Sequence, residues 1–123
     1  MLVKCFAVGM GGFIGSVIRY LVSRVEFQKS GNYPINTFLV NVVGAVLIGV
    51  IIVYAKENGI SEEKLLFLKM GLCGGLTTFS TFSVETFGFI ESGNLLMGLA
   101  YIVVTVALCV LGVYLGMKIG SLY

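Results

Sequence analysis

The sequence predicts an all-α membrane protein in which four transmembrane helices form one bundle. Of its 123 residues, 58% are hydrophobic and 11% are charged, and the mean hydropathy is +1.03. Soluble domains average about half apolar and about a quarter charged residues. A soluble chain of this length has too small a core to hide so much apolar surface, so lipid must cover it.

Four segments are long and apolar enough to cross a hydrocarbon core, which needs about 20 residues of helix. We place these spans at about 2–25, 35–55, 65–90 and 95–117, within a single transmembrane domain covering 1–123. The connections between them are short and leave no room for a soluble domain. Pro34, the only proline, suits the first turn of the second helix.

Small residues at four-residue spacing predict close packing of the helices. Gly11 and Gly15 form a GxxxG motif in the first span, and Gly112, Gly116 and Gly120 repeat the spacing at the end of the fourth. Such residues let helix backbones approach each other in lipid, where no hydrophobic effect drives the helices together.

The third span is predicted to be a helix broken in the middle of the membrane. Glycines 71, 74 and 75 precede five hydroxyl residues, and both glycine and threonine are poorer helix formers than alanine or leucine. We expect the break at Gly74 to Thr78, buried in protein or lining a polar cavity. The alternative is a continuous helix whose hydroxyls bond its own backbone. The hydroxyl residues are Thr77, Thr78, Ser80, Thr81 and Ser83.

Polar residues in two other spans line up along single helix faces. Asn41 follows Thr37 by about one turn in the second span, and Tyr101, Thr105 and Cys109 recur at every fourth residue of the fourth. They form either a hydrophilic track across the membrane or interhelical hydrogen bonds that only stabilise the bundle.

The chemistry of this track favours an anion. It has no ring of carboxylates, which cation pathways usually use. Phe79 and Phe82 share one side of a helix, and aromatic ring edges are partly positive. Arg19, near the end of its span, either raises the local anion concentration or extends to the lipid headgroups. We expect Glu85 to cap or pair within the bundle rather than line the track.

Three motifs resemble the Fluc/CrcB family of fluoride-specific ion channels. They are GGFIGSVIRY at 11–20, NTFLVNVVG at 36–44 and GLCGGLTTFSTFSVE at 71–85. The resemblance covers essentially the whole chain. It implies passive export of fluoride from the cytoplasm, which lowers its toxic concentration, across the cell inner (plasma) membrane. The implied assembly is an antiparallel, dual-topology homodimer.

The resemblance also implies roles for individual residues. Asn41 and the ring edges of Phe79 and Phe82 would contact fluoride, and Arg19 would stand at the aqueous vestibule. Thr105 and Cys109 stand where the family commonly has serine, and a thiol is a weaker donor than a hydroxyl. The fluoride pathway expected for this chain comprises Asn41, Phe79, Phe82, Tyr101, Thr37, Thr105 and Ser80.

A structural sodium ion, not transported, is implied at the break in the third span. By the same resemblance, the backbone carbonyls of Gly74 and Thr77 from each subunit would bind it. Carbonyl oxygens released by a broken helix are suitable ligands for a hard cation, and a fixed positive charge at mid-membrane favours a passing anion.

Other functions fit the sequence less well. A small multidrug-exporter-like transporter shares the size, the four spans and the dual topology, but such exporters use a glutamate in the first span, which here has Arg19 instead.

The chain has no His and no Asp, so the Ser or Thr nucleophile of an enzyme would lack an obvious base. A structural adaptor would leave the aligned polar residues unexplained. The net charge of +2 is too small and scattered for a nucleic-acid partner.

The distribution of basic residues predicts that the chain inserts in both orientations. A five-to-three split between the two sides gives only a weak positive-inside preference. Towards one side lie Lys4, Lys56, Lys64, Lys69 and Lys118, and towards the other lie Arg19, Arg24 and Lys29.

Overall fold

A computed structural model describes residues 1–27 and 33–123. Within these ranges all regular secondary structure is helical, and four stretches are long and apolar enough to cross a membrane, as predicted. Residues 28–32, which include the predicted charge Lys29 and most of the first connection, lie outside the described part.

The first two spans are single helices, α1 (Leu2–Ser23) and α2 (Ile35–Asn58). The second begins directly after Pro34 and continues three residues beyond its predicted end. It stops at Gly59, whose φ of 61° is a left-handed conformation that glycine adopts without a steric penalty.

The third span, Glu62–Glu91, is assembled from several helical pieces. It begins with α3 (Glu62–Leu66), where the Ser61 hydroxyl caps the first turn by accepting a hydrogen bond from the Lys64 amide. A π-helical segment, Phe67–Cys73, and a single turn, α4 (Gly74–Leu76), follow. The helical pattern in the sequence does not reveal the π geometry.

Helical geometry stops at Thr77 and Thr78, which are both extended, with ψ angles of 156° and 119°. The chain then resumes as α5 (Phe79–Glu91). The Thr78 hydroxyl accepts a hydrogen bond from the Thr81 amide at 3.2 Å, so Thr78 is the N-cap of α5. The two extended residues lie near the middle of the span.

The fourth span is the single helix α6 (Leu95–Gly120), which lies along α2, while α1 lies against the first half of the third span. Glycines make both contacts close. A Cβ on Gly15 would overlap the Leu72 carbonyl, and one on Gly116 would overlap the Val46 carbonyl. The packing role predicted for the GxxxG motifs is therefore confirmed.

The buried core is small and lies where α2, α5 and α6 meet around the two extended threonines. Its apolar members include Val40, Leu76, Phe82 and Tyr101. Most large apolar side chains on the outer faces are exposed, as expected of helices that lipid covers. This core places polar groups from three spans beside one another.

Candidate ion pathway

A side-chain amide holds the extended backbone of the third span. Asn41 Nδ2 donates to the Thr78 carbonyl at 3.0 Å, and the Thr78 amide donates to Asn41 Oδ1 at 2.8 Å. The carboxamide thus satisfies both backbone groups of Thr78, as a neighbouring β-strand would. Buried backbone groups need partners, and Asn41 supplies them where helical bonds are absent.

This arrangement releases two carbonyl oxygens from their helical partners. In a continuous α-helix, the amides of Thr78 and Thr81 would donate to the carbonyls of Gly74 and Thr77. The Thr78 amide instead donates to Asn41, and the Thr81 amide donates to the Thr78 hydroxyl. The carbonyls of Gly74 and Thr77 therefore have free lone pairs, and such oxygens fit a hard cation.

Three aromatic rings form a continuous cluster beside the extended residues. The rings of Phe79 and Phe82 have centroids 5.6 Å apart, and the Phe82 ring lies 5.0 Å from that of Tyr101. Phe82 and Tyr101 are buried, whereas Phe79 is 78% exposed. The two phenylalanines point to the same side, as their spacing predicts.

A groove of about 450 Å³ on one face of the chain is lined by Asn41, the extended threonines and the rings of Phe79 and Phe82. Thr105 lies in it 4% exposed, and its Oγ1 atom has no hydrogen-bond partner among the described residues. Leaving a buried donor unsatisfied costs about 1–3 kcal/mol. The hydroxyl therefore keeps its hydrogen-bonding capacity unused within the described residues. Lining residues predicted as functional are Asn41, Gly74, Thr77, Phe79, Phe82 and Thr105, and Cys109 also lines it.

Glu85 is hydrogen-bonded to two further residues of the predicted track, Thr37 and Tyr101. Its two carboxylate oxygens accept hydrogen bonds from the Thr37 hydroxyl at 2.6 Å and from the Tyr101 hydroxyl at 2.7 Å. Glu85 therefore pairs within the bundle, which is one of the two roles expected for it. Tyr33, just before α2, packs edge-on against Tyr101, and burial raises the pKa of its hydroxyl.

Arg19 and Ser80 lie apart from the aromatic groove. Arg19 lines a second cavity, of about 360 Å³, together with Thr37 and Thr78. The exposed Ser80 has its hydroxyl oxygen 3.4 Å from that of Thr78.

The sequence analysis assigned Thr78 no role in the ion pathway, although this residue lines both cavities. The adjacent threonines at the predicted break were the signal that pointed to it.

The fold and this arrangement define a multi-pass, all-helical membrane protein in which polar groups from several spans meet beside an outward-facing groove. A family model described as "CrcB-like protein, Camphor Resistance (CrcB)" matches residues 6–117. The chain therefore belongs to the CrcB family.

Relatives named "Fluoride-specific ion channel FluC" align with nearly the whole chain. The protein from Clostridium novyi (strain NT) is 44% identical over 123 residues, covering 98% of this chain and 96% of the relative. That from Clostridium perfringens (strain 13 / Type A) is 39% identical with the same coverage. That from Methanococcus aeolicus is 40% identical over 109 residues, covering 89% of this chain and 88% of the relative.

Proposed function

We propose that this protein is a fluoride-selective channel through which fluoride leaves the cytoplasm passively across the cell inner membrane. The names of the relatives support this function. The single structural observation that carries it is the buried Thr105 hydroxyl, which has no partner in the described part of the chain and belongs to a groove shared with Asn41 and the two phenylalanine rings. A hydroxyl donor in apolar surroundings suits a small anion that accepts hydrogen bonds strongly.

Fluoride entering this groove must exchange its tightly held water for protein groups. The Thr105 hydroxyl donates a hydrogen bond, and the partly positive edges of Phe79 and Phe82 face the ion. The apolar remainder of the groove offers little solvation to any anion. Selectivity then arises from donors that approach a small ion closely.

The working unit in this proposal is an antiparallel, dual-topology homodimer. Phe79 is 78% exposed although it belongs to the aromatic cluster, and Gly74 is exposed with open space where a Cβ would lie. A second copy packed on this face covers both residues. It also encloses the groove, whose open side otherwise faces lipid.

The freed carbonyls of Gly74 and Thr77 would hold a structural sodium ion between the two copies. When bound, sodium supplies a fixed positive charge at the middle of the membrane, close to the groove. The break at Thr77 and Thr78 is thus a functional feature of the third span, because a continuous helix would use both oxygens internally.

The primary test is anion release from liposomes that contain the purified protein. Fluoride should leave rapidly and chloride scarcely, without a proton gradient. Comparable chloride release would contradict the proposed selectivity, and a strict requirement for a proton gradient would favour a multidrug-exporter-like transporter.

Substitution of the rings separates ion contact from packing. Phe79→Ile and Phe82→Ile keep apolar bulk but remove the positive edge, so fluoride release should fall at least tenfold while the dimer elutes unchanged on size exclusion. Phe87→Ile, on the exposed face of α5 and outside the groove, is the matched control and should conduct normally. Normal release by both groove variants would contradict a role for the ring edges.

Sodium dependence tests the carbonyl site separately. Thorough removal of sodium should abolish release, and Thr77→Ser should leave the sodium dependence almost unchanged because the ligands are main-chain oxygens. Release that survives complete sodium removal would disprove the cation site while leaving the fluoride pathway intact.

A further inference from the structure

A lysine lies at the groove in which the proposed fluoride site is found. Lys69, in the π-helical segment, lines this groove together with Cys73 and Val113. Among the described residues that line it, Lys69 is the one that carries a charge. Irregular π-helical turns within helices occur frequently at functional sites.

Lys69 is an exposed charge in the first third of the third span, Glu62–Glu91. Ionisable residues within membrane spans usually face a water-filled cavity or pair with an acid. All six glutamates of the chain are in the described ranges. Within those ranges the ion pair is Lys4 with Glu62, and Lys69 has no acidic partner.

The two cavities that meet at Thr78 carry charges of the same sign. Thr78 lines the groove with Lys69 and also lines the second cavity with Arg19. Arg19 is the charged residue among the described lining of that second cavity. Glu85, whose carboxylate is bound by Thr37 and Tyr101, lines neither of them.

We propose that Lys69 recruits anions into the groove and thereby sets the rate at which fluoride reaches Asn41 and Phe82. The inference rests on the proposed channel function. Lys69 acts through its field: a cation in a cleft with low-dielectric walls raises the local concentration of anions and their rate of entry. It is a positioning residue for the ion and is not a ligand at the aromatic rings.

This mechanism predicts a dependence on ionic strength that a packing role would not produce. The Debye length falls from about 30 Å at 0.01 M salt to about 3 Å at 1 M. Attraction by Lys69 therefore acts in dilute salt and is screened in concentrated salt. Loss of a structural contact would lower flux similarly in both.

The test measures fluoride release from liposomes at low and high ionic strength, set with an impermeant salt at constant sodium. Lys69→Gln should reduce release about threefold or more at ~0.01 M and less than about twofold at ~1 M. Lys69→Arg should retain the wild-type rate. Lys64→Gln, which removes the same charge from the same span but outside the groove, is the matched control and should remain near wild type.

Charge restoration provides a second measurement that does not depend on comparing separately folded variants. Lys69→Cys is made in a chain whose native cysteines are replaced, and is treated with 2-aminoethyl methanethiosulfonate. The cysteine thiol loses its proton to water and forms a disulfide with the aminoethylthio group, while methanesulfinate leaves. Release at low salt should rise after this cationic modification and fall after the anionic sulfonatoethyl reagent.

The outcomes separate the two proposals. Equal ionic-strength profiles for Lys69→Gln and wild type, or equal responses to the two reagents, would overturn the role of Lys69 while leaving the channel in place. Similar losses in Lys69→Gln and Lys64→Gln would indicate general surface charge and would also overturn it. A wild-type protein that releases no fluoride at either ionic strength would instead contradict the channel function.

Discussion

Individual polar side chains in this bundle are satisfied by partners on other spans. Asn41 of α2 bonds the backbone of Thr78, and Glu85 of α5 accepts bonds from Thr37 of α2 and Tyr101 of α6. Buried polar groups without partners are expensive, so each pair fixes the relative position of two helices. The Thr105 hydroxyl differs from these groups because no residue within 1–27 or 33–123 hydrogen-bonds it.

The hydrogen bond between Tyr101 and Glu85 leads to a prediction about stability. Tyr101→Phe keeps the buried ring but removes the donor to the carboxylate at 2.7 Å. Hydrogen bonds to charged groups contribute about 1.5–3 kcal/mol, so the free energy of unfolding in detergent should fall by about that amount. Tyr114→Phe, at an exposed position on the same helix, is the control. Equal stability of the two variants would show that the bond is energetically unimportant.

The sequence alone predicts which polar side chains share a helix face, but it does not predict all of their hydrogen-bond partners. The four-residue spacing of Tyr101 and Thr105 gives their shared face, since helix geometry determines it. It does not show that Tyr101 turns its hydroxyl to Glu85 while Thr105 is left without a partner. Those outcomes depend on how α5 and α6 lie against each other, which a helical period does not encode.

Among the elements, the third span differs most from a regular helix. Its glycines allow α1 to lie very close: a Cβ on Gly15 would approach the Leu76 amide nitrogen to 2.8 Å, and one on Gly75 would approach the Ser16 amide nitrogen to 3.0 Å. The backbones are therefore in direct contact, as small residues allow in membranes. This support holds the segment before the extended threonines against α1.

Gly15→Ala tests this support. The new methyl group would overlap backbone atoms of the third span, and backbone cannot move aside as a flexible side chain can. Overpacking of this kind costs typically about 1–3 kcal/mol, so the melting temperature in detergent should drop clearly. Gly9→Ala, on the same helix with nothing within 4 Å of the added carbon, should be neutral or slightly stabilising because alanine favours helix. Equal melting temperatures would refute the close contact.

The four spans could be predicted from apolar length alone, because lipid imposes that length. The predicted ends of the spans were less accurate. Helix α2 continues past its predicted end to Asn58, where Gly59 terminates it, and the third span begins before its predicted start because Ser61 caps it. The π-helical turn at Phe67–Cys73 had no signal in the residue types. It depends on how the segment fits against α1, which is a property of the packed structure.

The exposed surface around the groove bears on how the whole molecule would assemble. The aromatic cluster and the groove both open outward at Phe79 and Gly74, and a groove that faces lipid would leave the freed backbone carbonyls beside it unsatisfied. In the proposed dimer, a second copy related by a two-fold axis in the membrane plane would bring the same face against itself. Such an arrangement requires that the chain insert in both orientations.

Labelling of opposite ends tests this requirement. Ser92→Cys lies between α5 and α6, and Ser121→Cys lies at the end of α6, so the two exposed positions are at opposite ends of one helix. In a chain lacking its native cysteines, a membrane-impermeant maleimide added to intact cells should label about half of each population, because the basic residues give only a weak orientation preference. Permeabilised cells supply the fully labelled reference. Complete labelling of one position with protection of the other would mean a single orientation and would exclude the antiparallel dimer.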